Sequence, residues 1–198
     1  MNAPELKVPF YSDEHLEREA TELLFHFSKW RGTPVRPPIN VDKLIEGYFG
    51  LELVFIDLPE YLGIPDVLGA TFLKEKRVFI DQSLDLEGKE GRLTFTMAHE
   101  VGHWQLHRPL VEAKELVLPL FSHGEVPEQP AFVCRSAQRK ARAELQADRF
   151  AARLLMPTAD VRATVAALYG DKLPTWEHVE DRRRNRELDE ELRDLAAE

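Results

Sequence analysis

The sequence predicts an α+β fold, with helices around a small, mostly antiparallel sheet. Three observations predict it. Apolar residues recur at helical spacing from Leu16 to Trp30, and again from Leu93 to Trp104. Between these stretches, residues 51–81 alternate in the manner of strands and carry a charged turn. The later helical stretch also holds two histidines and a glutamate among its apolar residues.

The elements follow in order. Residues 1–11, with Pro4 and Pro9, read as a loose start. Ser12 is an N-cap residue, and Leu16, Ala20, Leu23, Leu24, Phe27 and Trp30 then give a first helix. Gly32, Pro34, Pro37 and Pro38 form a turn-rich link. Val41, Leu44, Ile45 and Tyr48 share one face of a second helix that stops at Gly50. Leu51 to Asp57 read as a strand. Leu68 to Leu73 and Arg77 to Asp81 read as a hairpin closed by Lys74-Glu75-Lys76. Gly63, Pro65 and Gly69 suit loop positions near the strand starts.

Leu93, Met97, Val101 and Trp104 form the stripe of a largely buried helix. Within it stands His99-Glu100-Val101-Gly102-His103, the pattern HExxH. Histidines four residues apart lie on one helix face about one turn from each other, so both imidazoles reach a single metal ion. Glu100 then sits beside a water that the metal activates. Buried histidines without partners are costly, and a metal removes that cost.

Catalytic zinc usually takes three protein ligands. The continuation HExxHxxGxxH fails, because positions 106 and 109 hold Leu106 and Pro109. His107 lies about 12 Å from His99 along a straight helix, too far to share one ion. It reads instead as a histidine near a helix C-terminus, favoured by the helix dipole. A second helix from Glu144 to Leu155, stopped by Pro157, supplies a better third ligand. Glu144 and Asp148 share one face of it. Glu144 completes a two-His, one-Glu set, and Asp148 can accept the N–H of a ligand histidine and fix its tautomer.

The stretches Phe95 to His107 and Glu144 to Pro157 together resemble the ImmA/IrrE family of metallo-endopeptidases. The first matches its T-x-A-HE-x-GH-x-x-LH helix, and the second its E-x-x-A-[ND]-x-FAA-x-LLMP helix. The likeness spans roughly residues 38–158. It implies a zincin-like fold, similar to gluzincins such as thermolysin. It implies Zn2+ held by His99, His103 and Glu144, with Glu100 as general base and Asp148 behind a ligand histidine. N/O ligands of this kind also accept Mn2+ or Fe2+. The family's activity implies an intracellular regulatory peptidase acting in stress response or transcription regulation. Its protein substrate would be a helix-turn-helix DNA-binding repressor. A rival reading is a metal-bound regulator that binds a repressor without cutting it, in a toxin–antitoxin-like, phage or mobile-element system. Another is a structural metal, or none. The insert at residues 108–143 is long for this pattern.

A peptide held by such an enzyme lies against an edge strand. Gly69, Ala70, Thr71 and Phe72 form the candidate edge, since small residues let a second backbone approach. His123, in the insert, reads as an ordinary loop histidine. Arg135, Arg139, Lys140 and Arg142, just before Glu144, read as the outer face of the helix that carries Glu144 or as a contact for an acidic segment.

Composition bounds the rest. The chain has 198 residues, 43% hydrophobic and 31% charged, which suits a globular domain with a real core. Residues 1–170 are expected to form the peptidase domain, and 171–198 a charged helix or tail anchored by Trp176 and Val179. No stretch reaches the 18 or so apolar residues of a membrane span. Met1-Asn2-Ala3-Pro4-Glu5 shows no signal peptide, and the lone Cys134 forms no internal disulfide. Both point to the cytoplasm. A net charge of −9 disfavours direct nucleic-acid binding.

Overall fold

The computed structural model describes residues 8–117, 132–135 and 142–169. Helix α1 spans Asp13–Arg31. The Ser12 hydroxyl caps it by accepting from His15 N at 3.2 Å, and Gly32 closes it with a left-handed φ of 71°. Its buried face is Leu16, Ala20, Leu23, Leu24 and Phe27, as the periodicity predicts, whereas Trp30, expected on the same face, stays half-exposed at 48%. The second predicted helix is present as a wide π-type turn at Lys43–Tyr48, started by the Asn40 side chain, which accepts from Lys43 N at 2.8 Å.

Strand β1 (Glu52–Ile56) leads through the short helix α2 (Leu58–Leu62) to β2 (Val67–Phe72) and β3 (Arg77–Asp81). Asp57 caps α2, and Gly63 ends it in the left-handed region. The four described strands run in the order β1-β3-β2-β4, with β4 at Phe132–Arg135. β3 pairs antiparallel with β2 and parallel with β1, and β4 pairs antiparallel with β2. The sheet is thus mostly antiparallel, as expected. The insert contributes β4, which was not foreseen.

β4 overturns the edge assignment. β2 is hydrogen-bonded on both sides, to β3 and to β4, so no peptide can add to Gly69–Phe72. Alternate residues of a strand face opposite ways. Ala70 and Phe72 turn into a small cluster with Leu58, Val67 and Phe79, whereas Gly69 and Thr71 turn toward α3. Gly69 is therefore an interior strand position and not a loop glycine.

Helix α3 (Glu90–Gly102) passes into a π-type turn at His103–His107 and on into α4 (Arg108–Val117). The wide turn precedes Pro109, whose ring would clash with the carbonyl four residues back in a regular helix. Helix α5 (Arg142–Leu155) lies across α3 and beside α1, and α6 (Thr158–Tyr169) follows Pro157. The main core joins these helices to one sheet face through Leu16, Phe27, Ile80, Met97, Ala98, Val101, Phe150 and Leu154. Ion pairs from Asp13 to Arg149 and Arg153, at 3.2 and 3.0 Å, lie along the α1–α5 seam. Among the described residues no helix is long and apolar enough to cross a membrane. His123, Arg139, Lys140, Trp176, Val179 and the charged end from Asp171 lie outside the described residues.

Candidate metal centre

Close approach of α3 and α5 builds the site. A Cβ added to Gly102 would stand 3.1 Å from Ala147 Cα and 3.2 Å from its carbonyl oxygen. Only glycine lets the two helices meet this closely without displacing backbone. Glu144, one turn before Ala147, is thereby brought over the two histidines of α3.

Three side chains converge there. His99 Nε2 and His103 Nε2 lie 3.0 Å apart. Glu144 reaches both, with Oε2 3.2 Å from His99 Nε2 and Oε1 3.1 Å from His103 Nε2. Ligands bound tetrahedrally at 2.0–2.2 Å stand about 3.4 Å apart, so this triangle is near the size one ion requires. Its chemistry fits too. Asp148 Oδ1 sits 2.9 Å from His99 Nδ1. An ionised carboxylate only accepts, so Nδ1 carries the proton and His99 Nε2 presents a lone pair. Glu144 is likewise an acceptor. Acceptors that face one another at 3.2 Å call for a cation between them. His99, His103 and Glu144 form the one such cluster among the described residues.

Burial sets the protonation states. His99 and His103 are fully buried. Burial pushes the His103 imidazole down to about 4, although the Glu144 carboxylate beside it opposes this. It is neutral at pH 7, the form a metal needs. Burial alone would raise the Glu144 carboxyl, but the flanking His103 and His99 imidazoles outweigh it and hold the group well below the usual carboxylate range. The Glu144 and Asp148 side chains keep 18% and 23% of their accessible surface, so the site opens to solvent on the α5 side.

Glu100 lies on the sheet side. It is fully buried, and burial raises its carboxyl to about 7. Its Oε2 accepts a 2.6 Å hydrogen bond from the Thr71 hydroxyl, while Oε1 is buried with no protein hydrogen-bond partner. Gly69 makes room for that atom, since a Cβ there would stand 2.5 Å from Oε1. Of the four residues expected to hold substrate, Gly69 and Thr71 thus serve the glutamate, and Ala70 and Phe72 face away from the site.

His107 corrects the expectation of a helix-end histidine. It is fully buried within a continuous helical path. Its Nδ1 is 3.0 Å from His103 Nδ1, and its Nε2 is 3.0 Å from Gln146 Oε1. Gln146 was missed altogether. The available signals were the four-residue spacing of His103 and His107, and the position of Gln146 two residues after Glu144.

The family model of peptidase M78, the IrrE N-terminal-like domain, matches residues 47–179. That segment contains His99, Glu100, His103, Glu144 and Asp148, and extends the likeness seen in the sequence past Pro157. No curated protein matches the chain. With about two thirds of its length covered, and the two-His, one-Glu cluster inside the match, the chain belongs to the peptidase M78 family of IrrE N-terminal-like domains, a metallopeptidase family.

Proposed function

We propose that the chain is a zinc-dependent endopeptidase that acts as a regulator by cutting a protein partner, with a helix-turn-helix repressor as the substrate class. One observation carries the catalytic part. Three acceptor atoms for a cation stand beside a buried glutamate whose Oε1 has no protein partner. His99, His103 and Glu144 would hold a divalent metal, which would supply Lewis acidity toward a carbonyl and a water.

The chain's own residues do the rest. Glu100 takes, through Oε1, a proton from the water whose oxygen adds to the peptide carbonyl carbon, and returns it to the amine nitrogen as the C–N bond breaks. A carboxyl poised near neutrality suits both transfers. The Thr71 hydroxyl holds the other oxygen and keeps the carboxylate from rotating. Asp148 holds the His99 ring in its metal-binding tautomer. The substrate class rests on the family resemblance and on the acidic net charge, which favours a basic partner. For an extended substrate, β4 is the outer strand on the β2 side among the described residues, and main-chain pairing there replaces the role first given to β2.

The test is incubation with purified helix-turn-helix repressors, beginning with any encoded next to this chain. The proposal requires fragments with the wild type and zinc, and none with Glu100→Gln carrying the same metal. Equal cleavage by Glu100→Gln would overturn the mechanism. Tight binding without fragments would favour the non-cleaving regulator.

A further inference from the structure

We infer that His107 is a positioning residue for the metal ligand His103, and that Gln146 and the Pro9 carbonyl decide which nitrogen of His107 carries its proton. The inference rests on the reading of His99, His103 and Glu144 as a metal centre.

The chain of hydrogen bonds has a fixed direction. The Pro9 carbonyl only accepts, so the Gln146 amide nitrogen must face it, at 2.7 Å. This orients Gln146 Oε1 toward His107 Nε2, at 3.0 Å. An amide oxygen also only accepts, so His107 Nε2 carries a hydrogen. A fully buried imidazole is neutral, which leaves His107 Nδ1 with a lone pair. That lone pair faces His103 Nδ1 at 3.0 Å. His103 Nδ1 must donate to it, and His103 Nε2 is left to point its lone pair at His99 Nε2 and Glu144. A main-chain carbonyl thus selects the tautomer of a ligand three links away.

The two ligand histidines are served differently. His99 leans on the carboxylate of Asp148, and His103 on a neutral relay. His107 and Gln146 are 0% and 4% exposed in an apolar setting. Burying such groups costs free energy unless they are bonded, and leucine would fill the same space without that cost. Their hydrogen bonds have an acceptor at one end and the ligand set at the other, which is the arrangement expected of groups that orient a metal ligand.

The experiment measures zinc affinity of the full chain by competition with a chelator, and the His103 tautomer of the metal-free protein by 15N NMR. Wild type, Glu144→Ala, His107→Phe, His107→Asn and Gln146→Leu are compared. Wild type should bind one zinc, and Glu144→Ala should lose it. His107→Phe fills the ring's volume but offers no acceptor, and should weaken zinc ten- to a hundredfold and mix the His103 tautomers. His107→Asn is smaller but places an acceptor near the lost Nδ1, and should recover most of the affinity and the Nδ1–H tautomer. Gln146→Leu should lose about tenfold, and it carries the test if His107→Phe does not fold. A packing role alone gives the reverse order, with Phe retaining affinity and Asn losing it, and would overturn the inference. Undiminished affinity in both His107→Phe and Gln146→Leu would overturn it as well. Absence of zinc from the wild type would instead overturn the metal reading, and the inference with it.

Discussion

Gly102 and Ala147 touch backbone to backbone: a Cβ on the glycine would stand 3.1 Å from Ala147 Cα. This contact sets the height of α5 above α3, and so the distance from Glu144 to the histidines. Gly102→Ala gains roughly 1 kcal/mol of helix propensity and costs about 1–3 kcal/mol of overpacking. The net cost in stability is then about 0–2 kcal/mol. The effect at the metal is larger, because α5 must move by a few tenths of an ångström. The expected outcome is a change in melting temperature of a few degrees with zinc affinity reduced about tenfold or more, read by chelator competition.

Gly69 gives the second prediction. A Cβ there would lie 2.5 Å from Glu100 Oε1 and 2.9 Å from Thr96 Cγ2. Neither contact is tolerable, so the Glu100 carboxylate must turn out of its place. None of the three cluster residues is touched. Gly69→Ala should therefore bind zinc with near wild-type affinity and lose peptidase activity by about a hundredfold or more, the scale of a lost general base. Loss of metal together with activity would show that the glycine supports the ligands instead.

Asp148 gives the third. Its carboxylate holds His99 Nδ1 at 2.9 Å and remains partly exposed. Asp148→Ala removes the acceptor at His99 Nδ1 and the negative charge that raises the basicity of the ring. Zinc affinity should fall ten- to a hundredfold. Asp148→Asn keeps an acceptor without the charge, and should fall between the two. Equal affinities for all three would remove Asp148 from the centre.

How much of this was legible in the sequence depends on the kind of cause. Helix faces were readable because period and burial go together: Leu16, Ala20, Leu23, Leu24 and Phe27 are buried as the pattern demands. The three cluster residues were readable because HExxH and the Glu144/Asp148 pair each carry helical spacing. Non-local causes were hidden. Nothing in Gly69–Phe72 reveals that a strand from beyond residue 130 pairs with it, so the edge assignment failed. Spacing alone places His107 along a straight, ending helix. The chain instead widens at His103–His107 and continues, which keeps that ring inside. Gln146 is oriented by a partner far away in the sequence, Pro9, and bonds another, His107.

The last prediction concerns metal-free protein and pH. Burial holds the Glu100 carboxyl at about 7 in the folded chain, against an ordinary 4.5 in the unfolded one. Between these values the folded state binds the proton more tightly. Stability tied to this group is complete below about 4.5 and is lost as pH rises through about 7. Glu100→Gln cannot ionise and does not share that loss. The gap in unfolding free energy between Glu100→Gln and wild type, both stripped of metal by chelation, should therefore widen in favour of Gln from pH 4.5 to 7. A displacement of this size corresponds to about 3 kcal/mol at most. Urea unfolding at a series of pH values measures the gap directly. A gap independent of pH would mean that Glu100 ionises in the fold as readily as in water. The carboxyl could then not be poised near neutrality for the proton transfers assigned to it.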